Sequence, residues 1–332
     1  MESRADEEPV TIWALSDGRA GNRAQALGLA EALARRRPVA LEEGVAEPVA
    51  GAAALPPRLW HLLGLGAPGR GFAEGALPGP PWPTLAIGAG RRVAPLVAWL
   101  GRQGVRTVQC LDPRMPAAAF DLVVAPAHDR LEGPNALATV GAVGRTDRAR
   151  IEAEAARWRA RMATVPLPRL AVLVGGPSRS ARWRADTPPA LAEALARLGA
   201  QGHGLMVTPS RRTPAPVMAR IAEAVGTCAF VWNGHGDNPY PGLLGLADAV
   251  LVTEDSVNMA SEAAATGKPV HLFPVGRVRP KFRRFHASLI ARGAARPFEG
   301  RIERWTYQPL DEADRIAAEV ARRLLPGDGA RS

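Results

Sequence analysis

The 332-residue sequence has few cysteines, few lysines and no long apolar run. Its two cysteines, Cys110 and Cys228, are too far apart to indicate a disulfide framework or a metal cluster, and both are predicted to be buried thiols. The longest stretch without a charged residue, 75–90, contains four prolines, so no transmembrane helix is predicted. The acidic N-terminal segment lacks the apolar region of a secretory signal. We therefore expect a cytoplasmic protein, or one held peripherally on the inner face of a membrane.

The charge of the chain is strongly basic. There are 42 Lys and Arg residues against 32 Asp and Glu residues, a net charge of +10, and Lys268 and Lys281 are the only lysines. Arginine binds phosphates and carboxylates through paired hydrogen bonds, so this excess favours an anionic partner: nucleotide phosphates, an acidic lipid surface or nucleic acid. The alternative is compositional bias, because Ala, Gly, Pro and Arg are abundant together.

Apolar runs alternate with helical patterns along the chain, which predicts an α/β protein built from parallel βαβ units. One series runs from the strand at 10–15 to the strand at 122–125, and a second begins at the strand 170–174. We predict a first domain at 1–165, a second at 166–310, and a C-terminal helix at 311–332 that can pack back on the first domain. Two such domains imply a central cleft between them.

The predicted strands end in polar, glycine-containing turns. Ligands of open α/β sheets bind outside the carboxyl ends of the strands, so these turns are the candidate site. The turns 175–179, 208–213 and 233–239 supply glycine, hydroxyl, guanidinium and amide groups for phosphate, sugar or base contacts. The alternatives are tight turns and a solvated arginine pair. The predicted ligand-binding residues in these turns are Gly175, Gly176, Ser178, Arg179, Ser210, Arg211, Arg212, Asn233 and Asn238.

A strand running into a helix at 249–266 is the most informative segment. Asp255, Ser256 and Asn258 stand where the helix begins, and exposed N–H groups at a helix start can hold a phosphate. Glu262 lies further along the helix, where a carboxylate can accept hydrogen bonds from a sugar diol. The alternative is a capped helix carrying a solvated glutamate.

The first domain offers a facing loop after its first strand. Asp17 is a candidate general base. Asn22 can cap the following helix, and Arg19 and Gly21 complete the predicted substrate-binding loop.

A basic stretch with interleaved aromatics covers 277–286. It could touch an acidic membrane surface, and the alternative is a solvated helix face with its aromatics in the core. The basic residues of this stretch are Arg277, Arg279, Lys281, Arg283 and Arg284. The sequence contains no zinc-type spacing, Walker A motif or G-x-S-x-G motif, and no metal or cofactor is predicted.

Three segments resemble the mitochondrial-fission elongated-mitochondria family, whose bacterial members are described as predicted nucleoside-diphosphate-sugar epimerases. They are WALSDGRAGNRAQALGLAEAL, VTPSRRTP and the run from FVWNGHGDNPYPG to GKPVHLFPV. That family is similar to GT-B glycosyltransferases, including the enzyme that completes lipid II, and to non-hydrolysing sugar-nucleotide 2-epimerases. The resemblance implies two Rossmann-like domains facing a central cleft.

The resemblance also implies roles for particular residues. In the transferases a glutamate in an S-E-x(4)-G-x-P pattern binds the donor ribose, and Ser261, Glu262, Gly267 and Pro269 match that pattern. The turn from Gly175 onward would contact phosphate. The N-terminal loop would face donor phosphates and acceptor, but it has Asn22 where the transferase pattern has a histidine.

Three functions follow from these observations. The first is a GT-B-like enzyme that binds a nucleotide sugar, with UDP favoured, as a glycosyltransferase or an epimerase-like protein. The second is a catalytically inactive scaffold that recruits partners at a membrane, as plant members of the family do. The third, nucleic-acid binding, has no supporting motif.

Overall fold

The computed structural model describes residues 8–53, 55–77, 79–145 and 148–325. The strands are β1 (Val10–Ser16), β2 (Val39–Val45), β3 (Leu85–Ala89), β4 (Arg106–Cys110), β5 (Leu122–Pro126), β6 (Ala136–Thr139), β7 (Arg169–Val174), β8 (Ala181–Trp183), β9 (Gly204–Pro209), β10 (Phe230–Val231), β11 (Ala249–Thr253), β12 (Val270–Phe273), β13 (Gly276–Val278) and β14 (Ala295–Pro297). The α-helices are α1 (Ala20–Ala34), α2 (Ala50–Ala53), α3 (Pro57–Leu62), α4 (Ala94–Arg102), α5 (Arg148–Trp158), α6 (Thr187–Ala200), α7 (Ala215–Val225), α8 (Tyr240–Leu246), α9 (Val257–Ala264), α10 (Pro280–Ala291) and α11 (Glu312–Leu324).

The chain forms two compact units, one of residues 1–145 with 312–332 and one of residues 146–311. The first unit contains a six-stranded parallel sheet in the order β2-β1-β3-β4-β5-β6. The second contains a six-stranded parallel sheet in the order β10-β9-β7-β11-β12-β14. The predicted pair of Rossmann-like α/β units is therefore confirmed.

The first sheet is buried on both faces. Ile12 and Ala14 of β1 enter one apolar cluster, whereas Trp13 and Leu15 enter another, as the two-residue period of a strand requires. Helices α1 and α11 cover the first cluster and α4 covers the second. This two-sided burial explains why β1 reads as a continuous apolar run.

The second unit begins earlier than the predicted second domain, and the C-terminal helix joins the first unit. Helix α5 belongs to the second unit, because it packs on α8, where an added Cβ at Gly242 would lie 2.5 Å from the Trp158 ring. Helix α11 belongs to the first unit, because it packs on α1 and Arg36 Nη2 lies 2.6 Å from Asp314 Oδ2.

Candidate functional site

The second sheet has its switch point between β7 and β11. Strand β7 pairs with β9 on one side and with β11 on the other, so the loops after β7 and β11 leave the sheet side by side. Two backbone N–H groups join them: Gly175 N donates to Thr253 Oγ1 at 2.7 Å and Gly176 N donates to Asp255 Oδ2 at 2.7 Å. The structure thus brings three predicted site residues into direct contact.

Gly175 and Gly176 are required for this contact because no side chain fits there. A Cβ at Gly175 would lie 2.3 Å from Asp255 Oδ2, and a Cβ at Gly176 would lie 2.1 Å from the Arg212 carbonyl oxygen. Both glycines are buried, and both amides already donate within the protein. In this structure their role is close packing of the loops, and their predicted phosphate contact stays a prediction.

Asp255, which is buried, and Arg212, whose side chain is 38% exposed, form an ion pair at this edge. Arg212 Nη2 lies 3.1 Å from Asp255 Oδ2, and its guanidinium also donates to the carbonyl oxygens of Asp255 and Gly176. Burial raises the pKa of Asp255, against hydrogen bonds from Thr253 and Gly176 and the charge of Arg212. Asp255 Oδ1 has no hydrogen-bond partner among the described residues. The Arg212 guanidinium is therefore already bonded within the protein, and Asp255 joins the loops that follow β7, β9 and β11.

Thr213 fixes the neighbouring loop, although sequence reasoning did not single it out. Its Oγ1 lies 2.7 Å from the Val174 carbonyl oxygen and 2.6 Å from that of Gly175, and it accepts a hydrogen bond from Ser210 N at 2.8 Å. Only the spacing Ser-x-x-Thr, typical of hydroxyl-stabilised turns, could have indicated it.

Two further arginines at this edge are exposed and lie outside the ion pair. Arg179 follows β7 and Arg211 follows β9, and neither has an acidic partner in the described parts of the chain. Ser178 Oγ accepts from the amides of Ser180 and Ala181, which turns the chain into β8. Of the predicted arginines, Arg179 and Arg211 are thus the ones available to an anion.

Helix α9 begins directly after Asp255. Ser256 is its N-cap, and its Oγ accepts a hydrogen bond from Met259 N at 3.4 Å. Asn258 lies half-buried in the first turn. Ser256 thus acts as the predicted cap of a helix whose positive end lies at the carboxyl edge of the sheet.

Glu262 lies one and a half turns further along α9 and is oriented by a tyrosine. Tyr240 OH, at the start of α8, donates to Glu262 Oε2 at 2.5 Å. Burial raises the pKa of Glu262, against the lowering effect of the Tyr240 bond and of the Arg150 charge. No described residue hydrogen-bonds Glu262 Oε1, so this oxygen can accept from a ligand hydroxyl.

The loop between β10 and α8 is exposed and held by short-range bonds. Asn233 Oδ1 accepts from His235 N at 3.0 Å, and Asn238 Oδ1 accepts from Tyr240 N at 3.0 Å. A cavity of about 510 Å³ adjoins this loop. It is lined by Pro209, Ser210, Thr213, Ala215, Met218, Ala219, Ala222, Val231, Trp232, Asn233 and Gly234.

The predicted loop of the first unit surrounds a buried carboxylate. Asp17 is 7% exposed and accepts from Asn22 Nδ2 at 2.8 Å and from Arg19 N at 3.4 Å. Helix α1 begins at Ala20 with Arg19 at the N-cap position, so Gly21 and Asn22 lie in its first turn and Asn22 is not the predicted cap. The positions of β1 and β3 put this loop at the switch point of the first sheet. Whether Asp17 acts as a base stays a prediction.

The basic stretch is divided between a two-stranded antiparallel sheet and a helix. Arg277 lies in β13, which pairs with β8, and Arg279 precedes α10, which carries Lys281, Arg283 and Arg284. Phe285 is fully buried, so one face of α10 packs in the protein. Contact with an acidic surface through these residues stays a prediction.

The described residues contain no group of three or more His, Cys, Asp or Glu side chains that could hold a metal ion. No helix in those parts of the chain is long and apolar enough to cross a membrane. The thiol of Cys110 is buried in β4, and burial raises its pKa to about 12; the side chain of Cys228 lies outside the described part.

Two solved structures resemble the whole chain. The UDP-GlcNAc 2-epimerase from Methanocaldococcus jannaschii has a TM-score of 0.54 at 11% identity, covering 95% of this chain and 100% of that one. The spinosyn forosaminyltransferase SpnP has a TM-score of 0.50 at 15% identity, covering 96% of this chain and 95% of that one. At these identities the likeness shows the fold, which is the GT-B type.

A protein of Arabidopsis thaliana described as mitochondrial fission protein ELM1 is 32% identical over 273 residues. The match covers 73% of this chain but only 64% of the Arabidopsis protein. The family model described as Mitochondrial fission ELM1 matches residues 20–324. Because this match extends through both units, the chain belongs to the mitochondrial fission ELM1 family.

Proposed function

We propose that the second unit binds the nucleoside diphosphate part of a sugar nucleotide, with UDP favoured, at the carboxyl edge of its sheet. The observation that carries the proposal is Glu262, a half-buried carboxylate oriented by Tyr240 and with Oε1 left to accept hydrogen bonds. A ribose diol is the complementary ligand group, because it offers two adjacent O–H donors. Two proteins of similar fold are named for sugar chemistry, as a UDP-GlcNAc 2-epimerase and a forosaminyltransferase.

The diphosphate belongs at the start of α9 in this proposal. With 1.5 Å of rise per residue, Glu262 stands about 9 Å along the axis from Ser256, a length that a ribose 5′-diphosphate can span. The helix dipole and the exposed guanidinium groups of Arg179 and Arg211 favour an anion there. The same groups would stabilise a departing diphosphate in a transfer reaction without a metal ion.

The base is assigned to the cavity beside Trp232. Its volume of about 510 Å³ suits a flat heterocycle, and its walls combine an indole ring with the polar side chains of Ser210 and Asn233. We propose glycosyl transfer as the reaction, with 2-epimerisation of the bound sugar as the alternative outcome. In transfer, an acceptor oxygen bonds to the anomeric carbon, the bond to the diphosphate oxygen breaks, and the hydroxyl proton passes to a base. Asp17 is the predicted base.

The test is calorimetric titration of UDP-, GDP-, ADP- and CMP-sugars into the wild type and three variants. We expect binding of one nucleotide class, lost in Glu262→Ala and weakened in Tyr240→Phe, because the first removes the acceptor and the second its orienting donor. Glu193→Ala is the matched control, since Glu193 is an exposed carboxylate on α6. Folded protein that binds none of the panel refutes the proposal.

A recruiting scaffold without catalysis is the second candidate. The amides of Gly175 and Gly176 already donate to Thr253 and Asp255, so neither glycine N–H is free to bind a phosphate in this structure. The Arabidopsis relative is described as a mitochondrial fission protein rather than by a reaction. Nucleotide binding without turnover or epimerisation of any tested sugar would favour this candidate, with the basic residues 277–284 as its proposed membrane contact.

A further inference from the structure

The first unit contains a second cavity, which no sequence motif indicated. Its volume is about 450 Å³, and it lies between the segment 48–60 and the turns that follow β3 and β4. It is lined by Pro48, Leu55, Pro56, Pro57, Arg58, Trp60, Arg91, Arg92, Pro95 and Arg114. Four arginines therefore share one cavity with an apolar wall of proline, leucine and tryptophan.

The arginines face this cavity without a carboxylate among its lining residues. Arg114 pairs with Asp112 at 3.0 Å, outside the lining, whereas Arg58, Arg91 and Arg92 have no acidic partner in the described parts of the chain. Guanidinium groups gathered in this way repel one another, and a bound anion relieves that repulsion. Guanidinium geometry favours phosphate or carboxylate as the anion.

Exposed apolar side chains are concentrated in and beside the segment that forms one wall of the cavity. Seven of the nine exposed large hydrophobic side chains among the described residues lie between 41 and 63. Leu62 is 79% exposed and Leu63 is 57% exposed, at the end of α3, and Leu55 and Leu59 stand on the same segment. Exposed apolar side chains concentrated in this way mark a surface that contacts an apolar partner.

Trp60, which lines the cavity, is closely packed against its neighbours. Trp60 Nε1 donates to the Ala52 carbonyl oxygen at 2.8 Å, and the Trp60 ring stacks edge-on against buried Phe72 at 5.3 Å. A Cβ at Gly71 would lie 2.7 Å from the Trp60 ring, so the segment is closely packed from below. The cavity is thus formed in the protein alone.

We infer that the cavity and the exposed leucines of the segment 55–63 together bind a membrane lipid with a phosphate headgroup. The phosphate would lie among Arg58, Arg91, Arg92 and Arg114, and the hydrocarbon would contact the leucines of α3. A lipid is the occupant that satisfies both observations, because a soluble phosphate leaves the leucines exposed and an apolar peptide leaves the arginines unpaired. Charge together with apolar insertion is also the combination that stable membrane binding needs. The inference does not depend on nucleotide binding by the second unit.

The test is co-sedimentation with phosphatidylcholine vesicles that do or do not contain phosphatidylglycerol. We expect binding only with phosphatidylglycerol. Arg91→Gln/Arg92→Gln should weaken it about 25-fold, since each arginine near an anionic surface contributes about fivefold. The matched control for charge is Arg159→Gln/Arg220→Gln, which neutralises two exposed arginines of the second unit.

The apolar contact is tested by Leu62→Ser/Leu63→Ser, with Leu167→Ser as control because Leu167 is 70% exposed outside this surface. We expect the first to weaken vesicle binding at least tenfold and the second to leave it unchanged. Thermal unfolding of each variant checks that it folds.

Three outcomes would overturn the inference. The first is no binding to phosphatidylglycerol vesicles. The second is equal loss in both arginine pairs, or loss in Arg283→Gln/Arg284→Gln alone, which would assign the contact to α10. The third is binding of soluble glycerol phosphate as tight as that of vesicles, which would make the cavity a site for a free phosphate.

Discussion

Gly175→Ala tests the account of how the loops of the second sheet are held. A Cβ at this position would lie 2.3 Å from Asp255 Oδ2 and 2.6 Å from Asp255 Cγ. The carboxylate cannot retreat easily, because Gly176 N, Arg212 and burial hold it. The substitution must therefore displace Asp255 and break at least the bond from Gly176.

The expected change in the free energy of unfolding has two contributions. A hydrogen bond to a charged group contributes about 1.5–3 kcal/mol, and overpacking a close-packed site costs about 1–3 kcal/mol. We expect Gly175→Ala to lower the free energy of unfolding of the second unit by about 3–6 kcal/mol. At roughly 2–4 °C per kcal/mol for a domain of this size, the melting temperature falls by about 6–24 °C.

The assay is urea and thermal unfolding followed by circular dichroism. Gly199→Ala is the matched control: it lies in α6, its added Cβ meets nothing closer than Leu205 at 3.7 Å, and it should stabilise slightly. A double-mutant cycle with Asp255→Ala gives the decisive number. If Asp255 is the obstacle, Gly175→Ala costs at least about 1 kcal/mol less in that background. Equal costs in both backgrounds would refute the reasoning.

Three further predictions concern other residues. Burial lowers the pKa of Lys268 to about 8, below its pKa in the unfolded chain. Because the unfolded state holds the proton more tightly, the free energy of unfolding should rise by about 1–2 kcal/mol from pH 8 to pH 10. Urea unfolding of Lys268→Met should show a smaller dependence of that free energy on pH, and an unchanged dependence contradicts the assignment. The Cys110 thiol, with its pKa raised to about 12 by burial, should react with a disulfide reagent only after unfolding, and peptide mapping that finds it modified in the native protein would contradict its burial. Gly90→Ala should destabilise the first unit by about 2–4 kcal/mol in urea unfolding, because Gly90 has φ +95° and an added Cβ would lie 2.3 Å from Asn22 Nδ2. Gly104→Ala is the control: Gly104 has φ +88° and open space around an added Cβ, so this substitution should cost only the backbone strain.

Much of the fold could be predicted from the sequence because its signals are local. The apolar run at Val10–Ser16 and the glycine turn after it indicate a buried parallel strand without any knowledge of its neighbours. The segment 44–83 gave no such signal, since its glycines and prolines interrupt every period. The structure places α2, α3 and one wall of the arginine-lined cavity there.

The candidate site shows where local reasoning fails. Gly175 and Gly176 were predicted to approach a ligand, but in the structure they approach Asp255 and Arg212, which lie about 80 and 36 residues away in sequence. Glycine marks a close approach, and the sequence does not say to what. Tyr240 was missed for the same reason, because its bond to Glu262 joins two helices across 22 residues.

One measurement tests the central claim most directly: titration of UDP and of 2′,3′-dideoxy-UDP into the wild type and Glu262→Gln. If Glu262 binds the ribose diol, the wild type should prefer UDP by about tenfold or more, since each hydrogen bond to a charged group contributes about 1.5–3 kcal/mol. The variant should lose that preference while still binding both nucleotides weakly. Equal preference in wild type and variant, or no binding of either nucleotide to the folded wild type, would contradict the account.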